Sequence, residues 1–239
     1  MKKTLVIPDI HGRDYWKKAV NQHIDDVDQI VFLGDYFDSF DIKPLFQIHN
    51  FKEIMEIRKM FQHKVITLIG NHDYHYLRFT SSQYSGYNNL FQADIYDILK
   101  ENLDYLQICS IFDNKLFSHA GVSNYWLKLA SIDSNDRENL ENNINKILDD
   151  SPQYLDFAHL RPENNSLTTR YPNSYGDNFY QTPIWIRPMS LMSNDALIKN
   201  ITQVVGHTHQ NNVKTKYVEK TNSKFIFTDI YDTLKDEII

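Results

Sequence analysis

The sequence predicts one α/β domain built on mixed β-sheets. Three short apolar runs each end in a polar cluster: Thr4 to Pro8 before Asp9, Gln29 to Leu33 before Gly34-Asp35, and Val65 to Ile69 before Gly70-Asn71-His72. Helical stretches separate these runs, and the later strands are joined by turns too short for a crossover. A chain of 239 residues is long enough for one sizeable core, so residues 1–239 are read as a single domain.

The first three runs are apolar without alternation, as expected of strands covered on both faces. Tyr15 to Ile24 and Pro44 to Phe61 carry apolar residues at three- and four-residue spacing, which gives the order βαβαβ. Helical patterns recur at Leu90 to Asn102 and Arg137 to Leu148, the second Asn-rich, amphipathic and read as an exposed, solvated helix. Further strands are expected at Leu106 to Phe112, Lys115 to Ser118, Gln203 to Val205, Val213 to Val218 and Lys224 to Asp229. Asp113-Asn114 and Thr221-Asn222-Ser223 are hairpin turns, which adds antiparallel pairs to the parallel start. Residues 151–183 turn polar and proline-bearing, and an irregular excursion over one face is expected there. No fixed-period repeat is visible.

Apolar residues make up 41% and charged residues 23%, a globular balance, and the 15 Tyr and 14 Phe supply core bulk. A net charge of -6 argues against an extended nucleic-acid footprint, which needs Lys and Arg to displace counterions. The single cysteine, Cys109, cannot form an intrachain disulfide and is read as a core thiol. The opening Met1 to Ile7 is cut short by Pro8-Asp9, too soon for a signal peptide, and no run reaches the length of a membrane span. A cytoplasmic protein without membrane contact is expected.

The strand ends carry the chemistry. Asp9-Ile10-His11 sets a carboxylate and an imidazole two residues apart, so both can face one cation from an extended segment. Read alone, the pair equally describes a turn former beside a surface histidine. Gly34-Asp35-Tyr36-Phe37-Asp38 offers a carboxylate able to bridge two metals and a second acid just beyond, although an Asp pair at a strand end also caps helices. Gly70-Asn71-His72-Asp73 offers an amide oxygen and an adjacent imidazole that can exchange protons near neutral pH. A turn with a capping Asn would explain Gly70 and Asn71 but not His72. His119-Ala120-Gly121 and Gly206-His207-Thr208-His209 add three imidazoles at two more strand ends. Carboxylates, imidazoles and an amide without thiolate suit Mn²⁺, Fe or Zn²⁺, and two such ions suit phosphoryl chemistry.

These five blocks, in this order from residue 9 to residue 209, resemble those of the calcineurin-like metallophosphoesterases. The resemblance implies a four-layer α/β/β/α sandwich with two mixed sheets and two divalent ions, Mn²⁺ foremost. It assigns Asp9, His11 and His209 to one metal, Asn71, His119 and His207 to the other, and Asp35 to both. A metal-bound hydroxide would attack phosphorus directly, His72 would protonate the leaving group, and Asp38 would orient His72. Asp-Ile-His-Gly, Gly-Asp-Tyr-Phe-Asp and His-Ala-Gly are most similar to the serine/threonine phosphatase branch and its bacterial and phage relatives. Trp185-Ile186-Arg187-Pro188 fits that branch, with Arg187 as a phosphate contact, or else as a surface Arg beside a buried Trp. Ser39-Phe40 and Ile69 depart from it where two phosphate-binding arginines stand in protein phosphatases, leaving Arg13, Arg78, Arg161 and Arg170 as substitutes.

The expected function is hydrolysis of a phosphomonoester on a phosphoprotein or small phosphorylated metabolite. The alternatives are hydrolysis of a diester or dinucleoside polyphosphate, for which Tyr171 to Tyr180 could stack a base, and a non-catalytic scaffold. The sequence selects neither the substrate nor the oligomeric state.

Overall fold

A computed structural model describes residues 2–77, 83–156, 179–194 and 196–230, and the backbone of 237–238. The first sheet takes β1 (Thr4–Ile7), β2 (Gln29–Phe32), β3 (Val65–Leu68) and β4 (Leu106–Gln107) in parallel. Helices α1 (Tyr15–His23) and α2 (Pro44–Met60) connect the first three strands, close to the predicted bounds. Strand β10 (Glu237–Ile238) runs antiparallel along β1 at the other edge. A short helix α3 (Asn71–Tyr74) follows β3, and α4 (Gln92–Glu101) precedes β4.

The second sheet has the order β5-β6-β7-β9-β8, from β5 (Cys109–Phe112), β6 (Lys115–Ser118), β7 (Thr202–Val205), β9 (Ser223–Phe227) and β8 (Lys214–Val218). The β5/β6 and β8/β9 pairs are antiparallel hairpins, while β6/β7 and β7/β9 are parallel. Both sheets are therefore mixed. Val6, Val31 and Leu68 of the first sheet pack on Phe117, Val204 and Ile226 of the second, an apolar seam between them. Their neighbours Leu5, Ile7, Ile30 and Phe32 face the other way, onto Trp16, Ala19, Val20, Phe51 and Ile54 of α1 and α2. Phe225 and Phe227 likewise turn outward, onto Leu191 of α8 (Pro188–Leu191). Period-two alternation within fully apolar strands yields the four layers that the resemblance implied.

Two expectations are corrected. The strand predicted over Leu106 to Phe112 is two strands, because the chain leaves the first sheet after Gln107 and joins the second at Cys109. The Asn145 side chain satisfies the backbone at the crossing: Oδ1 accepts from the Ile108 and Cys109 N–H groups at 2.9 and 3.0 Å, and Nδ2 donates to the Cys109 carbonyl at 2.9 Å. The segment read as a solvated helix is instead two short packed helices, α6 (Leu140–Asn145) and α7 (Ile147–Asp150), reached after α5 (Asn124–Leu129). Leu140, Ile144, Ile147 and Leu148 are buried in the core. Most of the predicted excursion at 151–183, with Arg161, Arg170 and Tyr171, lies outside the described residues, as does Arg78. Cys109 is a buried free thiol, as expected. Among the described residues no helix is long and apolar enough to cross a membrane.

Candidate metal centre

The loops after β1, β2, β3, β6 and β7 meet at one end of the sandwich. Tight reversals there put His11, Asp35, Asp38 and His207 in the left-handed region, with φ of 43°, 53°, 66° and 61°. Such backbone is uncommon outside glycine and persists where surrounding contacts enforce it. The His11 N–H donates to the Asp35 carbonyl at 2.7 Å and the Gly12 N–H to the Tyr36 carbonyl at 2.9 Å, lacing the first loop to the second. Fully buried Asp73 binds the second loop to the third by accepting from the N–H groups of Asp35, Tyr36 and Gly70 at 2.8, 2.7 and 2.8 Å. Burial raises the Asp73 carboxyl to about 7 against the pull of those hydrogen bonds. Gly70 and Gly206 lie against carboxylates: a Cβ on either would collide with Asp35 Oδ1 or Asp9 Oδ2.

Two groups of metal-ligating side chains result, Asp9-His11-Asp35 and Asp35-His119-His207, and Asp35 belongs to both. The hydrogen positions show what they invite. His119 Nδ1 lies 2.9 Å from the Leu33 carbonyl and His11 Nδ1 lies 2.7 Å from the Phe37 carbonyl. A carbonyl only accepts, so each Nδ1 carries the hydrogen and each Nε2 presents a lone pair. The lone pair of His119 faces Asn71 Oδ1 at 2.9 Å and Asp35 Oδ2 at 3.4 Å, with His207 Nδ1 at 3.1 Å. That of His11 faces Asp35 Oδ2 at 3.7 Å. Lone pairs converging on a shared carboxylate and an amide oxygen fit a cation.

Burial acts on the protonation of these groups as well. Burial, then the neighbouring carboxylates, hold Asp9 and Asp35 well above the usual carboxylate range. Burial also lowers His11 to about 4, His119 to about 3 and His207 well below the ordinary imidazole value. Every group is driven toward its neutral form: a divalent cation would restore the charge of the two carboxylates and take the imidazoles as they stand, neutral. Seven ligands were expected from the sequence, and six meet here. His209 is exposed and falls in neither group.

Beside these groups His72 Nδ1 lies 2.7 Å from Asp38 Oδ2. Burial alone would raise the Asp38 carboxyl, but the hydrogen bond from His72 and the close approach of His75 outweigh it and hold it below its ordinary value. A cleft of about 340 Å³ opens over the site, lined by Asp9, His11, Asp35, Asn71 and His207 with His72, Arg187, Trp185, Tyr84 and Asp229. Arg187 Nη1 donates to Thr208 Oγ1 at 3.1 Å and to the His207 carbonyl at 3.3 Å, which holds this residue at the cleft wall. Arg13, offered as a substitute phosphate contact, pairs with Asp41 at 3.3 Å and does not line the cleft. Asp73, His75, Tyr76 and Asp229 were missed. Only Asp73 sat inside a recognised block, and the polar run His72-Asp73-Tyr74-His75-Tyr76 was the available signal for the next two.

A sandwich that gathers carboxylates and inward-facing imidazoles at its strand ends defines the class of metal-dependent hydrolases. The calcineurin-like phosphoesterase profile matches residues 2–211, and the chain belongs to that family of divalent-metal-dependent enzymes. The chain is 23% identical over 185 residues to the serine/threonine-protein phosphatase PP2A-like PPG1 of Saccharomyces cerevisiae, an alignment covering 74% of this chain and 47% of the relative. It thus spans about half the length of that relative. Among solved structures, it is similar to a Saccharomyces cerevisiae serine/threonine phosphatase described as similar to human phosphatase PP5, at 12% identity and a TM-score of 0.48 over 95% of this chain and 67% of that one. It is also similar to a metallophosphoesterase from Sphaerobacter thermophilus, at 14% identity and a TM-score of 0.43 over 94% and 75%.

Proposed function

We propose that the chain is a dinuclear metal-dependent phosphoesterase that hydrolyses phosphomonoesters of a phosphoprotein or a small phosphorylated metabolite. The observation that carries this reading is Asp35, shared between two groups of inward-facing donors with His72 held by Asp38 beside them. Asp9, His11 and Asp35 would hold one cation, and Asp35, Asn71, His119 and His207 the other. Mn²⁺, Fe or Zn²⁺ bound there would supply the nucleophile and neutralise charge developing on the phosphoryl oxygens.

The chain's own residues supply orientation and the proton. Arg187, at the cleft wall, has the planar fork that grips a phosphate by two oxygens. His72 gives its Nδ1 hydrogen to Asp38, which leaves Nε2 to protonate the departing ester oxygen. Asp38 holds the ring in that tautomer and orientation. Similarity to a yeast serine/threonine phosphatase supports the monoester reading, while Ser39 and Ile69 in place of arginines favour a substrate gripped by fewer cations.

The test is a substrate panel on metal-stripped protein reloaded with Mn²⁺, with Asp35→Asn as control. It comprises an aryl phosphomonoester, a phosphothreonine peptide, an aryl phosphodiester and diadenosine tetraphosphate. Monoester or peptide turnover that the control lacks supports the proposal. Preference for the diester or tetraphosphate moves the assignment to those bonds, and absence of metal-dependent turnover throughout rejects it.

A further inference from the structure

His75 lies beyond the ligand groups, fully buried, and could be grouped with Asp38 and His72 as a third metal site. Its hydrogen-bond partner argues otherwise. His75 Nδ1 accepts the Tyr84 N–H at 3.1 Å, so it presents a lone pair there and the hydrogen sits on Nε2. Nε2 lies 2.7 Å from Asp38 Oδ2, near enough for strong attraction, though off the line of an ideal hydrogen bond. The hydroxyl of Tyr76 donates to the other carboxylate oxygen, Oδ1, at 2.5 Å, and itself accepts the Asn88 N–H at 2.8 Å. Asp38 therefore faces hydrogens from His72, His75 and Tyr76, and a carboxylate so surrounded has little left to offer a cation.

Aromatic packing holds this arrangement. Tyr84 stacks on His75 with ring centroids 4.9 Å apart, and Tyr87 stacks on Tyr76 at 4.6 Å. Gly86 presses so closely on Asp38 that a Cβ there would meet Asp38 Cβ at 2.9 Å.

We infer that His75 and Tyr76 are positioning residues for proton delivery, fixing the Asp38 carboxylate so that it keeps His72 turned with Nε2 toward the leaving group. This rests on the proposed phosphomonoesterase reading. The proton that His72 gives to the ester oxygen returns from water, and His75 and Tyr76 keep theirs throughout.

The experiment compares an alkyl monoester, glycerol phosphate, with 4-nitrophenyl phosphate, whose leaving group needs no proton. Wild type, Tyr76→Phe, His75→Leu and His75→Gln are loaded with Mn²⁺ and checked for folding by thermal melting. Gln can both accept the Tyr84 N–H and donate toward Asp38. Expected is a fall in kcat for the alkyl ester in Tyr76→Phe and His75→Leu exceeding that for the aryl ester by about tenfold or more, with KM little moved and with partial rescue in His75→Gln. Parallel losses on both esters, or no loss on either, in a competent wild type overturn the positioning role alone. A wild type inactive on both esters overturns the phosphomonoesterase reading with it. Independently of metal, ¹⁵N spectra of imidazole-labelled protein should show His75 hydrogenated at Nε2, and a hydrogen at Nδ1 overturns the inference.

Discussion

At His11 and His119 a backbone carbonyl takes the ring hydrogen and the lone pair faces a carboxylate. At His72, whose ring centre is 5.3 Å from that of His11, the ring hydrogen itself faces a carboxylate, and His75 does the same because a backbone N–H occupies its other nitrogen. The same two residue types thus build a seat for a cation in one cluster and a neutralised anion in the next. At His11, His119 and His75 the backbone group touching the far nitrogen decides which.

The largest effect that would break this comparison is at Asp35. Asp35→Asn removes the charge common to both donor groups and should cut metal-dependent turnover by about 10³-fold or more, with fewer than two ions retained by elemental analysis. Two tightly held ions in that variant would show that the groups do not share this residue. On the other side, His72→Gln should keep both ions yet lower kcat on alkyl monoesters by about 10²-fold or more.

A third measurement concerns the metal-free protein. Folded His119 stays neutral down to about pH 3, whereas the unfolded chain protonates this residue below about 6.5. The unfolded state binds more protons in that window, so stability falls as pH falls, by up to about 1.4 kcal/mol per pH unit. In chelator, wild type should lose stability relative to His119→Asn between about pH 6.5 and 4, read from denaturant midpoints. A difference that stays constant with pH would contradict an inward-facing lone pair. Smaller still, Arg187→Lys should raise KM about tenfold by losing the planar fork, with metal content unchanged. Smallest should be His209→Ala, whose loss of Mn²⁺ affinity by calorimetry should be less than that of His207→Ala, since His209 belongs to neither group.

The parts of this centre legible in the sequence were those coded by type and place. Asp9, His11, Asp35, Asn71, His119 and His207 each follow the end of a strand closely, and uninterrupted apolar runs announced those strands. Tautomers were not legible, because they depend on carbonyls at Leu33 and Phe37 that no side-chain pattern records. His75 and Tyr76 escaped because their partner Asp38 is more than thirty positions away and the aromatic clamp over them comes from a loop. The crossing between sheets was hidden within one continuous apolar run, Leu106 to Phe112, and its key residue, Asn145, lay in a segment whose polar composition suggested solvent. The apolar stripe Leu140, Ile144, Ile147 and Leu148 was nevertheless present in that segment, and it buries as such a stripe should.

The second donor group spans the seam of the sandwich. Asp35 and Asn71 follow strands of the first sheet, whereas His119 and His207 follow strands of the second. A cation held by all four would rivet the sheets together at that end, above the purely apolar contact of Val31 and Leu68 with Phe117 and Val204. Loading and folding would then share one equilibrium: chelation should fray this end, exposing the amides of the five loops to hydrogen exchange while the apolar seam stays protected.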